Sequence, residues 1–171
     1  MSQAESISQF LARISNSEPI ADVPLYIKKL ADEAEALADK HANFAQQDSH
    51  ILALALSSLT AQTCGGFMYL NAENGCSTLS HAFIMDGPHI IDIKGLRSSA
   101  QVRRDYKCHP TSANLIMSPE RLCQLQEGSS VLTAELEARI LAAIPVAREV
   151  LALVAKQVRV GELLAHMQRN R

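Results

Sequence analysis

Neither sign of charge dominates this chain: 16 Lys and Arg stand against 18 Asp and Glu, a formal net charge of -2. A general nucleic-acid or membrane-surface binder needs a basic face to attract a polyanion, and no obvious basic cluster supplies one. Long apolar runs are missing too. The run over residues 51–56 is far too short to cross a bilayer. Residues 1–10 mix Ser, Gln and Glu with few apolar side chains, without the basic start and apolar run of a secretory signal, so a cytoplasmic location is the expectation. Cys64, Cys76, Cys108 and Cys123 lack regular spacing, and a chain of 171 residues needs no staples, so they read as reduced thiols. A zinc site built from Cys76, His81, Cys108 and His109 would have no C-x-x-C type spacing and would need adjacent residues to ligate together; no metal and no cofactor is expected. Internal repeats and low-complexity segments are absent.

What the chain does have is the composition of a folded protein, 47% apolar and 20% charged, at the size of a single domain spanning residues 1–171. A short helix is expected over 6–14, ending before Asn16, Ser17 and Pro19. A second begins at Asp22, a residue type that caps helices, and places Leu25, Leu30, Ala34 and Leu37 at helical spacing. Its other face, with Lys28, Lys29, Asp32, Glu33 and Lys40, is a solvated surface. Asp48 reads as the cap of a third helix over 49–61. Ile51, Leu52, Leu54, Leu56 and Leu59 make that helix apolar on nearly every side, which places it at the centre of the domain.

Thr63, Cys64, Gly65 and Gly66 end the central helix, and three strands follow over 67–70, 78–85 and 89–94. Short links join antiparallel neighbours, so the strands form a meander. Ser118 before Pro119 marks the cap and first position of another helix. Two apolar-striped helices follow over 133–144 and 146–167, with Pro145 expected to kink or break the helix between them. The fold class is therefore α+β: a short antiparallel β-meander packed on a buried central helix, with N-terminal and C-terminal helices around it.

Counting outward from a two-residue turn at Asp86 and Gly87, or from a four-residue loop over 85–88 that spares Pro88 a missing hydrogen bond, pairs Ile84 with His89 and His81 with Asp92. Directly opposed residues have Cβ atoms about 5 Å apart, within reach of an imidazole-carboxylate hydrogen bond. Phe83, Met85 and Ile90 fall beside this pair, and Ala82, Ile84, Ile91 and Ile93 fall behind it. Both faces are apolar, so the sheet should be covered on both sides and Asp92 at least partly buried, in need of a partner.

A buried helix opening at Ser49, a strand carrying His81, Ala82 and Phe83, and a strand carrying Ile91, Asp92 and Ile93 together resemble the transglutaminase-like branch of the papain-like cysteine enzymes. The resemblance covers residues 48–96. It implies an amide-bond hydrolase or deamidase acting on a protein or peptide, with His81 as general base, Asp92 orienting its imidazole and backbone N–H groups at the helix start stabilising the oxyanion. Ser49 stands where that family has its cysteine. A serine hydroxyl does not ionise as a helix-terminal thiol does, so little or no turnover is expected. Three readings follow: an engineered Cys-to-Ser change, a natural non-catalytic relative, or a nucleophile elsewhere.

Each feature also has a plainer reading. Ser49 after Asp48 is what an ordinary capped helix start looks like, and a His opposite an Asp can be a satisfied buried pair. Cys64 is the rival nucleophile, but at a helix C-terminus the dipole would raise its pKa. Arg97, Arg103 and Arg104 could bind an anion and otherwise belong to the solvated surface. The C-terminal stripes are core, with a surplus face that could pair two copies as a homodimer. The competing function is a non-catalytic intracellular binding protein of chaperone or inhibitor type, with His81 and Asp92 as structure only.

Overall fold

The computed structural model describes residues 20–109, 111–128 and 132–170, and the helix expected over 6–14 lies outside them. The described chain is α+β, with an antiparallel sheet of five strands and helices before, between and after them. Helix α1 (Val23–Lys40) starts as its sequence dictates: the Asp22 side chain accepts the Leu25 N–H at 3.0 Å, and proline sits in the first turn. Leu30, Ala34 and Leu37 point inward, and the Lys28, Lys29, Asp32, Glu33 and Lys40 face is exposed. Leu25 departs from the apolar stripe and is 57% exposed.

A single turn, α2 (Ala42–Ala45), leads to the central helix α3 (Ser49–Thr60), where every residue from Ile51 to Leu56 is buried. Asp48 holds the N-cap position but does not cap with its side chain. Its carboxylate instead accepts from Arg139 Nη2 at 2.9 Å and from Asn43 at 3.4 Å.

Four strands then run as a meander: β1 (Cys64–Leu70), β2 (Ser77–Asp86), β3 (His89–Asp92) and β4 (Gly95–Ser98). After α4 (Ser99–Asp105), β5 (Ala113–Met117) returns to the far side of β1, giving the order β4-β3-β2-β1-β5. Cys64, Gly65 and Gly66 belong to β1, not to the end of α3 as their glycines suggest. The reason is packing: a Cβ on Gly65 would lie 2.6 Å from the Phe83 ring, so the glycine lets that ring rest on the strand.

Helix α5 (Pro119–Glu127) is capped by Ser118, and α6 (Ala134–Arg169) by Thr133, whose side chain accepts the Leu136 N–H at 3.1 Å. The break expected at Pro145 does not occur, since α6 runs through it. The carbonyl that Pro145 leaves without a donor is that of Leu141, a residue 62% exposed, where solvent can replace the lost bond.

The sheet separates two cores. Ala82, Ile84, Ile91 and Ile93 face α3, α6 and α1 in the main apolar cluster, while Phe67, Phe83 and Ile90 face Val102 of α4 in a smaller one. The β2–β3 register differs from the expected one by two residues: Asp86 pairs with His89, Met85 with Ile90 and Ile84 with Ile91. The turn is Gly87 and Pro88, with Gly87 at φ +59°. Pro88 thus sits inside the turn, where the ladder asks nothing of its nitrogen. Because side chains alternate with period two, a shift of two residues leaves every side chain on its original face.

Candidate functional site

His81 and Asp92 are therefore diagonal, not directly opposed, and still meet: His81 Nε2 lies 3.0 Å from Asp92 Oδ2, with both side chains buried. Diagonal neighbours on a sheet are within reach of long side chains. The pair is part of a larger cluster. Asp92 Oδ1 accepts the Lys94 N–H at 2.9 Å and Arg97 Nε at 3.2 Å, and Arg97 Nη2 bonds Oδ2. Arg97 Nη1 reaches Asp105 at the end of α4. The Tyr106 ring stacks on the imidazole, centroids 3.7 Å apart and planes 17° apart, and the Arg97 guanidinium lies over the same ring at 5.5 Å.

Burial alone would push the Asp92 carboxyl up. The hydrogen bond and charge of His81, followed by the charge and hydrogen bond of Arg97, outweigh it and hold Asp92 below the ordinary carboxylate range. Burial, with the Asp92 charge added, pushes the Tyr106 phenol well up, so Tyr106 is neutral. A buried carboxylate with four donors is satisfied as a structural anion.

Ser49 is on the other side of the sheet. It begins α3, which packs on the Ala82, Ile84 and Ile91 face, and its Oγ accepts the Ala82 N–H at 3.1 Å. The β2–β3 ladder ends at Ile84 and Ile91, and the serine supplies a partner to a strand N–H beyond it. His81, next to Ala82 in a strand, necessarily turns its imidazole the opposite way. The roles that the resemblance implies would need His81 to face Ser49 at the amino end of α3, and the imidazole turns away from it. Ser49 is only 6% exposed, and the helix start is closed by packed side chains. His50 Nε2 lies 2.6 Å from Glu127 Oε1, and Arg139 bridges Glu127 and Asp48 at 2.9 Å each. The His50 bond is the main cause that holds the Glu127 carboxyl below its usual range.

Cys64 offers no better nucleophile. It is fully buried on the main-core face, and desolvation pushes its thiol up to about 11. Of the three arginines assigned to the surface, Arg104 is exposed, Arg103 is half-buried over the Phe67 ring, and Arg97 is buried. Asp105 and Tyr106 went unnoticed in the sequence. One signal was present: Gly95 makes a tight β3–β4 turn possible, and that turn pairs Ile90 with Arg97, putting the guanidinium on the face of Asp92. The imidazole's Nδ1 is buried without a hydrogen-bond partner among the described residues.

A cleft of about 500 Å³ opens between α1, α6 and the β4–α4 segment, with Arg97 in its wall. Among the described residues no helix is long and apolar enough to cross a membrane. No protein-family model, curated protein or solved structure matches this chain.

Proposed function

We propose that this chain is a non-catalytic binding protein, in which His81, Asp92 and Arg97 clamp α4 to the sheet. One observation carries the reading: the imidazole is stacked under Tyr106 on the face away from Ser49. General-base catalysis needs the base within hydrogen-bond reach of the proton it takes, and here the imidazole lies against Tyr106 on the opposite face of β2 from the hydroxyl, which accepts the Ala82 N–H.

The test is Ser49→Cys, labelled with iodoacetamide across pH, alone and with His81→Gln. Slow labelling, held back by burial, confined to alkaline pH and unchanged by the second substitution, is the expected result. Labelling that persists at acid pH and disappears with His81→Gln would overturn it.

A cysteine-hydrolase-like reading, acting on an amide bond of a protein or peptide, is the alternative. Its support is that the peptide N–H accepted by Ser49 belongs to the residue next to His81, with Asp92 already bonded to the ring. It requires the imidazole to leave Tyr106 and cross the sheet, and the same labelling experiment decides it.

A further inference from the structure

We infer that the cleft between α1, α6 and the β4–α4 segment binds a small amphiphile with one anionic head, of the class of a medium-chain carboxylate. The inference deepens the binding-protein reading and rests on it. The volume, about 500 Å³, lies in the range of pockets for small organic ligands. Leu30 and Ala34 of α1 and Val160 of α6 are buried along it, and Ile27 and Leu164 remain 42% and 37% exposed at its sides. An apolar body is what these walls accept.

Gly161, within α6, lines the same cleft. Glycine inside a helix lowers helix stability relative to alanine, so its presence calls for a local reason. Packing within the chain is not that reason, because a Cβ at Gly161 would meet nothing within 4 Å. Gly161 is exposed, and the open space beside it adjoins the cleft that it lines. Gly95 is a contrast: it stands at φ +83°, and a Cβ there would collide with Gln157.

The charges at the cleft fix the head group. Lys94 is engaged by Glu35 at 2.7 Å and Asp105 at 3.5 Å, and Arg97 by Asp92 and Asp105. Arg104 lines the cleft, is exposed, and has no side-chain partner among the described residues. One uncommitted guanidinium matches one carboxylate. A diphosphate or a nucleotide would need more cationic charge than the cleft leaves free. The His81–Asp92 clamp has a role here as well, since it holds Arg97 as a wall of the cleft instead of leaving it to meet the ligand.

Isothermal titration of the full chain with decanoate, 1-decanol and decylamine tests this. Decanoate should bind with one-to-one stoichiometry, decanol about tenfold more weakly, and decylamine not detectably, as expected for one charge-assisted hydrogen bond. Arg104→Gln should weaken decanoate about tenfold and leave decanol unchanged. Gly161→Leu should abolish both, whereas Gly161→Ala should raise the thermal midpoint and keep binding. Should Gly161→Leu fail to fold, the exposed Arg104 position carries the test alone. Equal affinity for decanoate and decanol, or indifference to Arg104→Gln, overturns the head-group assignment, and no decanoate binding overturns the inference. If decanoate fails while labelling of Ser49→Cys is independent of His81, the ligand class falls and the binding-protein reading stands. His81-dependent labelling removes that reading whatever decanoate does.

Discussion

On the inner face of the sheet, Ala82, Ile84, Ile91 and Ile93 meet α3 and α6 almost wholly through hydrocarbon, whereas on the outer face His81, Asp92 and Arg97 stand among Phe67, Phe83 and Ile90 under a helix of seven residues. Apolar burial is strong and non-directional, and it orders a long helix such as α6 without specifying each contact. A helix as short as α4 gains little from propensity and must be placed by particular bonds. The Ser98–Gln101 capping box supplies some at its start, and the Arg97–Asp105 ion pair holds its end, where a carboxylate alone would be unfavourable next to the C-terminal dipole. What distinguishes the faces is that one can be repacked and the other can only be satisfied or broken. Buried ion clusters add little net stability but cost much when one member is removed.

The largest effect should come from breaking the outer cluster. Arg97→Met leaves Asp92 buried with one charged partner fewer and is expected to cost about 3–5 kcal/mol in urea unfolding. A cost below about 1 kcal/mol would mean that α4 is not held by this cluster. Adjacent residues of β3 sharpen the contrast next. Ile91 points into the large core and Ile90 into the small one. Ile91→Ala should cost about 4 kcal/mol and Ile90→Ala about 2 kcal/mol, because Ile91 is enclosed in the large core and Ile90 gives up fewer packing partners in the small cluster. Equal costs would mean that the two cores hold their isoleucines alike.

Acid should do more gently what Arg97→Met does outright. The Asp92 carboxyl is held below its unfolded value, so the stabilisation it contributes is present above the ordinary carboxylate pKa of about 4 and is lost as pH falls through the lower folded value. Over that interval the unfolded chain takes up the proton first. Thermal midpoints should therefore drop more steeply below about pH 4 in the parent than in Asp92→Asn, whose lower starting midpoint should depend less on pH. Parallel curves would remove Asp92 as the source.

How much of this was legible in the sequence follows the same division. The apolar helix over 51–56, the Asp22, Ser118 and Thr133 starts, and the alternation of His81 and Phe83 against Ala82 and Ile84 are local patterns, and local patterns survive in the fold. Even the mistaken hairpin register kept His81 and Asp92 on one face, because face depends only on parity. Non-local choices were hidden. Nothing near Ser49 says which side of the sheet α3 will take, since residues 82–84 and 90–93 offer apolar side chains to both sides. β5 pairs with β1 across about fifty residues of chain, and pairings so distant leave little local trace. The partners of Arg97 became visible only once Gly95 was known to close a turn.

Ser49 is where the two readings of the molecule predict opposite signs, and the expected effect is the smallest. If its hydroxyl serves the Ala82 N–H, Ser49→Ala strands a buried donor and should destabilise by about 1–2 kcal/mol. If position 49 is instead kept for chemistry, its residue is chosen at some expense to stability, and alanine, the better helix former, should be neutral or stabilising. Equilibrium unfolding of Ser49→Ala beside Ser58→Ala separates these, because Ser58 is an exposed serine of the same helix whose hydroxyl returns to the Ala55 carbonyl. Ser58→Ala sets the helix-propensity baseline. A loss at position 49 beyond that baseline places the serine among the bonds that hold the sheet, and no loss moves it back among the candidates for chemistry.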